Sequence, residues 1–353
     1  MKRSIAQWAV MWAVLLAACG GNGLSDGGHD ARSPGGADAG PPDAAPGPEP
    51  VKFIVVGDVG TGDSNQQAVA DAMEQKCLAD GCDFVVMLGD NIYESGVESV
   101  DDPQWQSKFE DIYVDMDLPF FAALGNHDYG GEIAFVDMGG VGNEWERGPM
   151  EVMYTDVSSK WNMPATHYTF TWGNVGFIML DTNSLMWDNT DHGDQYQWYP
   201  TALMEVSDAD WVFAAGHHPY LSNGSHGNVG EYDTIEVGGI EIPVPFDFLN
   251  GDDLKIFFDQ LMCGTVDIYF AGHDHNRQWL NEPEMCSGTE LIVSGAGGKL
   301  KDFEGVNEHH WQDDTKHGFM YVVIEGDRFF GQFVDHTGQV DFEREFIRPG
   351  SAP

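Results

Sequence analysis

Phe84-Val85-Val86-Met87-Leu88-Gly89-Asp90-Asn91-Ile92-Tyr93 is an apolar run that stops at glycine and passes at once to side chains able to hold a metal ion. The run reads as a strand, and the glycine marks its end. The pattern recurs at Val55-Val56-Gly57-Asp58, Ala123-Leu124-Gly125-Asn126-His127-Asp128, Ala215-Gly216-His217-His218 and Ala271-Gly272-His273-Asp274-His275. Crevices of open α/β sheets lie beyond the carboxyl ends of their strands, so such endings bring distant residues to one place. Asp58, Asp90, Tyr93, Asn126, His217, His273 and His275 are therefore expected to converge as the ligands of a binuclear metal site.

The donor types divide the set. A phenolate and carboxylates are hard anionic donors that favour a highly charged ion, so Asp58, Tyr93 and His275 read as a site for Fe(III). His217, His273 and the Asn126 carbonyl form a softer, less charged set for a divalent ion, Fe(II), Zn(II) or Mn(II), with Asp90 bridging the pair. Two ions held about 3.5–4 Å apart activate a bound water and stabilise both oxygens of an in-line displacement at phosphorus. Phosphate ester hydrolysis is the expected reaction.

These motifs resemble the calcineurin-like metallophosphoesterase superfamily, and within it the purple acid phosphatases of the small tartrate-resistant type. The resemblance runs from about Lys52 to about Gly298, through Asp58-Val59-Gly60, Gly89-Asp90-Asn91-Ile92-Tyr93, Gly125-Asn126-His127-Asp128, Gly216-His217 and Gly272-His273-Asp274-His275. The usual first motif of the superfamily carries a His where this chain has Gly60, and the usual second motif has a non-ligating residue at Tyr93. Loss of one ligand and gain of the other is what points to the purple branch. The resemblance implies an acid phosphatase that hydrolyses phosphomonoesters by attack of a metal-bound hydroxide. It also implies that His127 and His226 bind substrate phosphate or protonate the leaving group. A phosphodiesterase or nucleotidase with the same metal core is the enzymatic alternative, and a surface binding protein that keeps the fold as a scaffold is the non-enzymatic one.

Other polar residues have weaker grounds. His218 stands where the tartrate-resistant type carries an aromatic, so a supporting or structural place is expected for it. Asp128 is expected to orient its neighbours by hydrogen bonds, or to cap a turn. Arg147 is expected on the surface, with a substrate phosphate as the less favoured partner. His167, His192, His309, His310, His317 and His336 match no motif.

Lys2 and Arg3 precede an apolar stretch from Ile5 to Ala18 that is short for a membrane span and has the form of an export signal. Leu16-Ala17-Ala18-Cys19 resembles a bacterial lipobox, so residues 1–19 are expected to be a lipoprotein signal ending in Cys19 and the protein to be an exported, membrane-anchored lipoprotein of the cell envelope. Residues 20–50 are rich in Gly, Pro, Ala and Asp, with Leu24 their single large aliphatic, and read as a flexible tether. Residues 51–353 are expected to form one α/β domain, a sandwich of two mixed sheets flanked by helices. Expected strands are Phe53–Val56, Phe84–Leu88, Phe120–Leu124, Phe177–Leu180, Trp211–Ala215, Ile268–Ala271 and Leu291–Ser294, with helices near Gln66–Ala79 and Gln104–Tyr113. Phe319–Ile324 and Arg328–Phe333 read as a hairpin, as does Glu236–Ile242 around Gly238-Gly239. Asp and Glu number 58 against 16 Lys and Arg, a formal charge of −42 that disfavours nucleic acid as a partner. Cys77, Cys82, Cys263 and Cys286 allow several pairings, of which the local ones, Cys77 with Cys82 and Cys263 with Cys286, are preferred.

Overall fold

The computed structural model describes residues 49–348 apart from 134–135, 138, 189–193, 233–234, 238–239 and 243–249. The expected export signal, most of the tether, His192 and the Gly238-Gly239 turn lie outside the described residues. The strands on either side of that turn, Ile235–Val237 and Ile240–Ile242, do pair antiparallel.

Two sheets carry the fold. The first contains β1 (Val51–Val56), β2 (Phe84–Leu88), β3 (Phe120–Ala123) and β4 (Trp161–Asn162). The second contains β5 (Tyr168–Trp172), β6 (Val175–Met179), β7 (Trp211–Ala215), β8 (Ile268–Ala271), β9 (Arg277–Leu280), β10 (Glu290–Ser294) and β11 (His309–Asp313). The chain then returns to the first sheet with β12 (Gly318–Glu325), β13 (Arg328–Asp335) and β14 (Val340–Ile347). Strand order is β14-β13-β12-β1-β2-β3-β4 in one sheet and β11-β9-β10-β8-β7-β6-β5 in the other. β1 to β4 run parallel, as do β6, β7, β8 and β10, while the remaining pairs are antiparallel.

Phenylalanines join the sheets. Phe53 of β1 stacks on Phe84 at 5.1 Å and meets Phe177 of β6 edge-on at 5.4 Å, and it also reaches Phe213 and Phe270. All five are fully buried. Burial of each such ring contributes roughly 1.5–3 kcal/mol, so this aromatic layer holds the sheets' relative placement firmly. That placement fixes where the strand ends meet.

The strands expected from the sequence are present, with edges differing by a few residues. β4, β9 and β11 carry no clear apolar run, while β5 and β14 space their apolar residues among polar ones, and none of the five is among the strands expected from the sequence. In β9 the reason is Arg277, which is fully buried and reaches Asp313 and Asp341, each at 2.8 Å. A charge paired inside a sheet hides the strand from a hydrophobicity pattern. Helix α1 (Ser64–Asp80) begins where Asp63 accepts from the Asn65 and Gln66 amides and stops at Gly81, φ 83°. Pro103–Trp105 is a short helical turn continued by a wider π turn over Gln106–Glu110. Both local disulfides, Cys77–Cys82 and Cys263–Cys286, are formed.

Candidate metal centre

Parallel strands of both sheets end at the same edge, and each hands over a polar residue there. β1 leads to Asp58, β2 to Asp90, β3 to Asn126, β7 to His217 and β8 to His273. Asp58, Asp90 and His273 have φ of 57°, 52° and 68°, a region that non-glycine residues rarely adopt. Such strain costs on the order of 1–3 kcal/mol per residue and gathers at sites that need it. Gly125 is required by proximity, because a Cβ there would collide with the Asp90 carboxylate.

The donor atoms form two clusters. In the first, the Tyr93 hydroxyl lies 3.1 Å from Asp58 Oδ1 and 3.2 Å from His275 Nε2, and Asp58 Oδ1 is 3.5 Å from His275 Nε2. In the second, Asn126 Oδ1 lies 2.9 Å from His217 Nε2 and 3.2 Å from His273 Nδ1, with 3.1 Å between the two nitrogens. Asp90 touches both. Its Oδ1 is 3.4 Å from His217 Nε2, and a carboxylate oxygen of Asp90 lies within 4.8 Å of one from Asp58.

Hydrogen bonds on the far side of two of these residues fix which atom each turns into the second cluster. His217 Nδ1 donates to the Leu88 carbonyl at 2.8 Å, which leaves Nε2 as the bare nitrogen. Asn126 Nδ2 donates to the Gly140 carbonyl at 2.6 Å, which turns the amide oxygen toward the histidines. His217 Nε2 and Asn126 Oδ1 thus turn lone pairs toward the His273 nitrogen at 3.1 and 3.2 Å, and three donors so gathered fit a metal ion.

Electrostatics at the first cluster give the same answer. Burial, reinforced by Asp90, raises the Asp58 carboxyl well above its ordinary range. Burial raises the Tyr93 phenol likewise, helped by Asp58 and Asp90. Burial would raise Asp90 too, but the facing His217 and His127 imidazoles and the His127 amide outweigh it and hold Asp90 low. Among the described residues no Lys or Arg pairs with Asp58 or Asp90. A highly charged cation would let this buried anionic set ionise. Burial also pushes the imidazoles toward the neutral form that can ligate a metal. Burial keeps His217 and His273 below their usual value and brings His275 down to about 3.

Residues 51–277 match the family model described as calcineurin-like phosphoesterase. The chain belongs to that family. It is 25% identical over 346 residues to human tartrate-resistant acid phosphatase type 5, covering 87% of this chain and 94% of that protein. It is 28% identical over 319 residues to purple acid phosphatase 4 of Arabidopsis thaliana, covering 83% of each. Its fold resembles that of GAP50, the anchor in the inner membrane complex of Plasmodium, with TM-score 0.60 at 20% identity over 85% of this chain and 89% of that one. A dimetal phosphatase from Danio rerio gives 0.52 at 12% identity over 84% and 99%.

Within this calcineurin-like phosphoesterase, the exchange of a His for Gly60 has a steric cause. A Cβ at Gly60 would overlap the backbone of Asn91 and Ile92. The Tyr93 amide donates to the Gly60 carbonyl at 2.9 Å, and the Gly60 amide to that of Asp90 at 3.1 Å. The loop that carries Tyr93 thus occupies the space a larger first-motif residue would need.

Asp128 braces this family member's site from below. It is fully buried, and its Oδ1 accepts from the Asn91 and Ile92 amides at 2.8 and 3.0 Å while Oδ2 accepts from the Gly125 amide at 2.8 Å. One carboxylate therefore locks the Asp90–Tyr93 loop to the Asn126 loop. Burial and the nearby Asp90 push it up to about 7, and it shares a hydrogen bond with buried Glu151, a partner the sequence did not suggest. Replacing Asp128 by Ala strands those amides, and loss of such supporting bonds lowers metal affinity about 10–100-fold. Metal titration of the variant measures this, and unchanged affinity contradicts the bracing role.

The remaining histidines divide by position. His127 donates its amide to Asp90 Oδ1 at 3.0 Å and its Nδ1 faces the Glu94 carbonyl at 2.6 Å, so its ring sits 4.6 Å from that of Tyr93 at the rim. His226 donates its amide to Asp274 Oδ1 at 3.0 Å, and its ring lies 4.2 Å from that of His273. His218 is buried, with one ring nitrogen within 4.8 Å of those of His217 and His273. Thr182 Oγ1, however, accepts from the amides of both His217 and His218, so its proton goes to His218 Nδ1 at 2.9 Å. That leaves the proton of His218 on Nε2, a donor rather than a ligand. Arg147 is partly buried rather than free on the surface, held by Glu144 and, at 3.8 Å, by Glu98. His167 packs on Trp198 at 4.6 Å, away from the clusters.

Proposed function

We propose that the protein is a binuclear-metal acid phosphatase that hydrolyses phosphomonoesters. In this reading Asp58, Tyr93 and His275 hold Fe(III), Asn126, His217 and His273 hold a divalent ion, Fe(II), Zn(II) or Mn(II), and Asp90 serves both. The observation that carries it is the pair of buried oxygen and nitrogen donor clusters that Asp90 joins. When bound, such ions neutralise phosphate charge and make water acidic enough to act as a nucleophile near neutral pH. His127, beside Tyr93, and His226, beside His273, orient the phosphate and supply a proton to the departing alcohol. A cavity of about 500 Å³, lined by Ser222, Ser225, His226, Asn228, Glu304 and Asn307, opens beside His226 and receives the alcohol portion.

Metal analysis joined to a phosphoester panel tests this function. The protein as purified should hold a pair of ions per chain including iron, lose turnover on chelation and regain it on reconstitution, and favour monoesters. Retained turnover after complete metal removal overturns the reading. So does a fully metallated protein that cleaves only diesters, or nothing.

Export and lipid anchoring at Cys19 form part of the proposal, supported by the lipobox-like Leu16-Ala17-Ala18-Cys19 and by disulfides suited to an oxidising compartment. Cys19→Ser is expected to release the protein from the membrane fraction or leave it unprocessed, as fractionation and mass measurement would show. A variant processed and anchored like wild type removes the lipobox assignment.

A further inference from the structure

Lys299 lies on the loop that follows β10, outside every motif read as a ligand or catalytic group. Its ammonium rests 3.5 Å from the centroid of the Tyr93 ring. Tyr93 is only 2% exposed, so this face of the ring meets the lysine in place of bulk water. Lys299 Nζ is also 3.3 Å from each carboxylate oxygen of Glu94. Glu94 is the residue after Tyr93, and its carbonyl is the partner of His127 Nδ1. The lysine is thereby held over the phenol by the same segment that orients His127. The neighbouring cation is engaged elsewhere, since Lys108 donates to the Tyr93 carbonyl and to Gln104 Oε1 at 2.8 Å. Among the described residues Lys299 makes no ion pair with Asp58 or Asp90; its charge lies against the ring rather than against the carboxylates.

We infer that Lys299, held by Glu94, is a positioning residue that tunes Tyr93 as an electron donor to the ion of the first cluster. The inference rests on the proposed Tyr93–Fe(III) bond. A cation over an aromatic face stabilises the ring electrons. A phenolate so stabilised gives up less density to its metal, leaving that metal a stronger acceptor for a phosphate oxygen. The same stabilisation raises the energy needed to move an electron from ring to iron, so the visible charge-transfer band lies at shorter wavelength than it would without the lysine. Glu94 supports the effect by anchoring the ammonium, which lies 3.3 Å from each of its carboxylate oxygens.

Visible spectra of iron-loaded protein, with iron measured in each variant, are the test. Lys299→Met should move the band to longer wavelength, Lys299→Arg should leave it near the wild-type position, and Glu94→Gln, which frees the lysine, should move it to longer wavelength by less than Lys299→Met. The Lys299→Met shift should be on the order of 10 nm, the size a partly exposed cation–π contact supports. A band that Lys299→Met moves and Lys299→Arg keeps supports the tuning role, since a second cation would not repair a general loosening of the site. A band that Lys299→Met leaves in place or moves to shorter wavelength, or that Lys299→Arg moves as far as Lys299→Met does, overturns the inference and leaves the Tyr93 bond intact. A wild type that holds iron without any such band removes the Tyr93 bond itself, and the inference with it.

Discussion

Tyr93→Phe is expected to bleach the iron-loaded protein. A phenolate bound to Fe(III) gives a visible charge-transfer band, and a phenyl ring has no oxygen with which to form one. The ring itself fills the same space, so packing beneath Lys299 and beside His127 is preserved. What is lost is the hydroxyl that lies 3.1 Å from Asp58 Oδ1 and 3.2 Å from His275 Nε2. Iron retention should fall as well, because two donors of that cluster remain where three stood. Aerobically prepared wild type and variant, compared by visible spectrum, iron content and thermal unfolding, separate the chemical role from a packing role. A variant that keeps the wild-type band refutes the ligand assignment. A colourless, iron-poor but active wild type would point instead to a zinc or manganese phosphoesterase.

Asp90→Ala should be more damaging to turnover than any other single change considered. Its carboxylate lies 3.4 Å from His217 Nε2 and within 4.8 Å of the Asp58 carboxylate, and it receives the His127 amide at 3.0 Å. Removing it takes a negative charge from both clusters and unties His127. Loss of a residue that merely supports a ligand costs about 10–100-fold, so loss of a shared donor should exceed the upper end of that range in kcat/KM. Metal content should drop at both positions together. Near-normal content and turnover would contradict a joined pair of sites. Loss at one position with full retention at the other would show that Asp90 serves a single ion.

Much of this was legible in the sequence because the informative signals are local. A strand that ends in glycine and then a polar residue needs only neighbouring positions to be recognised, and Asp58, Asp90, Asn126, His217 and His273 all follow that pattern. Parallel strands of one sheet end at a common edge, which gathers their terminal residues, and the packing of the two sheets brings the two edges together. Both disulfides joined cysteines near in sequence for the same reason: short loops bring their ends together at little entropic cost. Strands such as β9 escaped because Arg277 is buried by pairing with Asp313 and Asp341, partners far along the chain.

By itself, then, the sequence determined the two-sheet class, the set of residues at the strand ends and the division of donors into a hard and a softer group. Only the tertiary structure decided how those donors face one another. The packing of Phe53 and Phe84 against Phe177 sets the distance between the sheets, and with it the 2.9–3.2 Å approaches of Asn126, His217 and His273. The structure also decided that Gly60 must stay small, that Asp128 ties two loops together, and that Thr182 makes His218 a donor instead of a ligand. Lys299 over Tyr93 joins residues that follow strands of different sheets and lie far apart in the chain, and no periodicity or motif records that contact. The physical reason is range. Propensity and patterning act over a few residues, whereas hydrogen-bond direction, burial and electrostatic field are set by whatever the completed fold brings within a few ångströms.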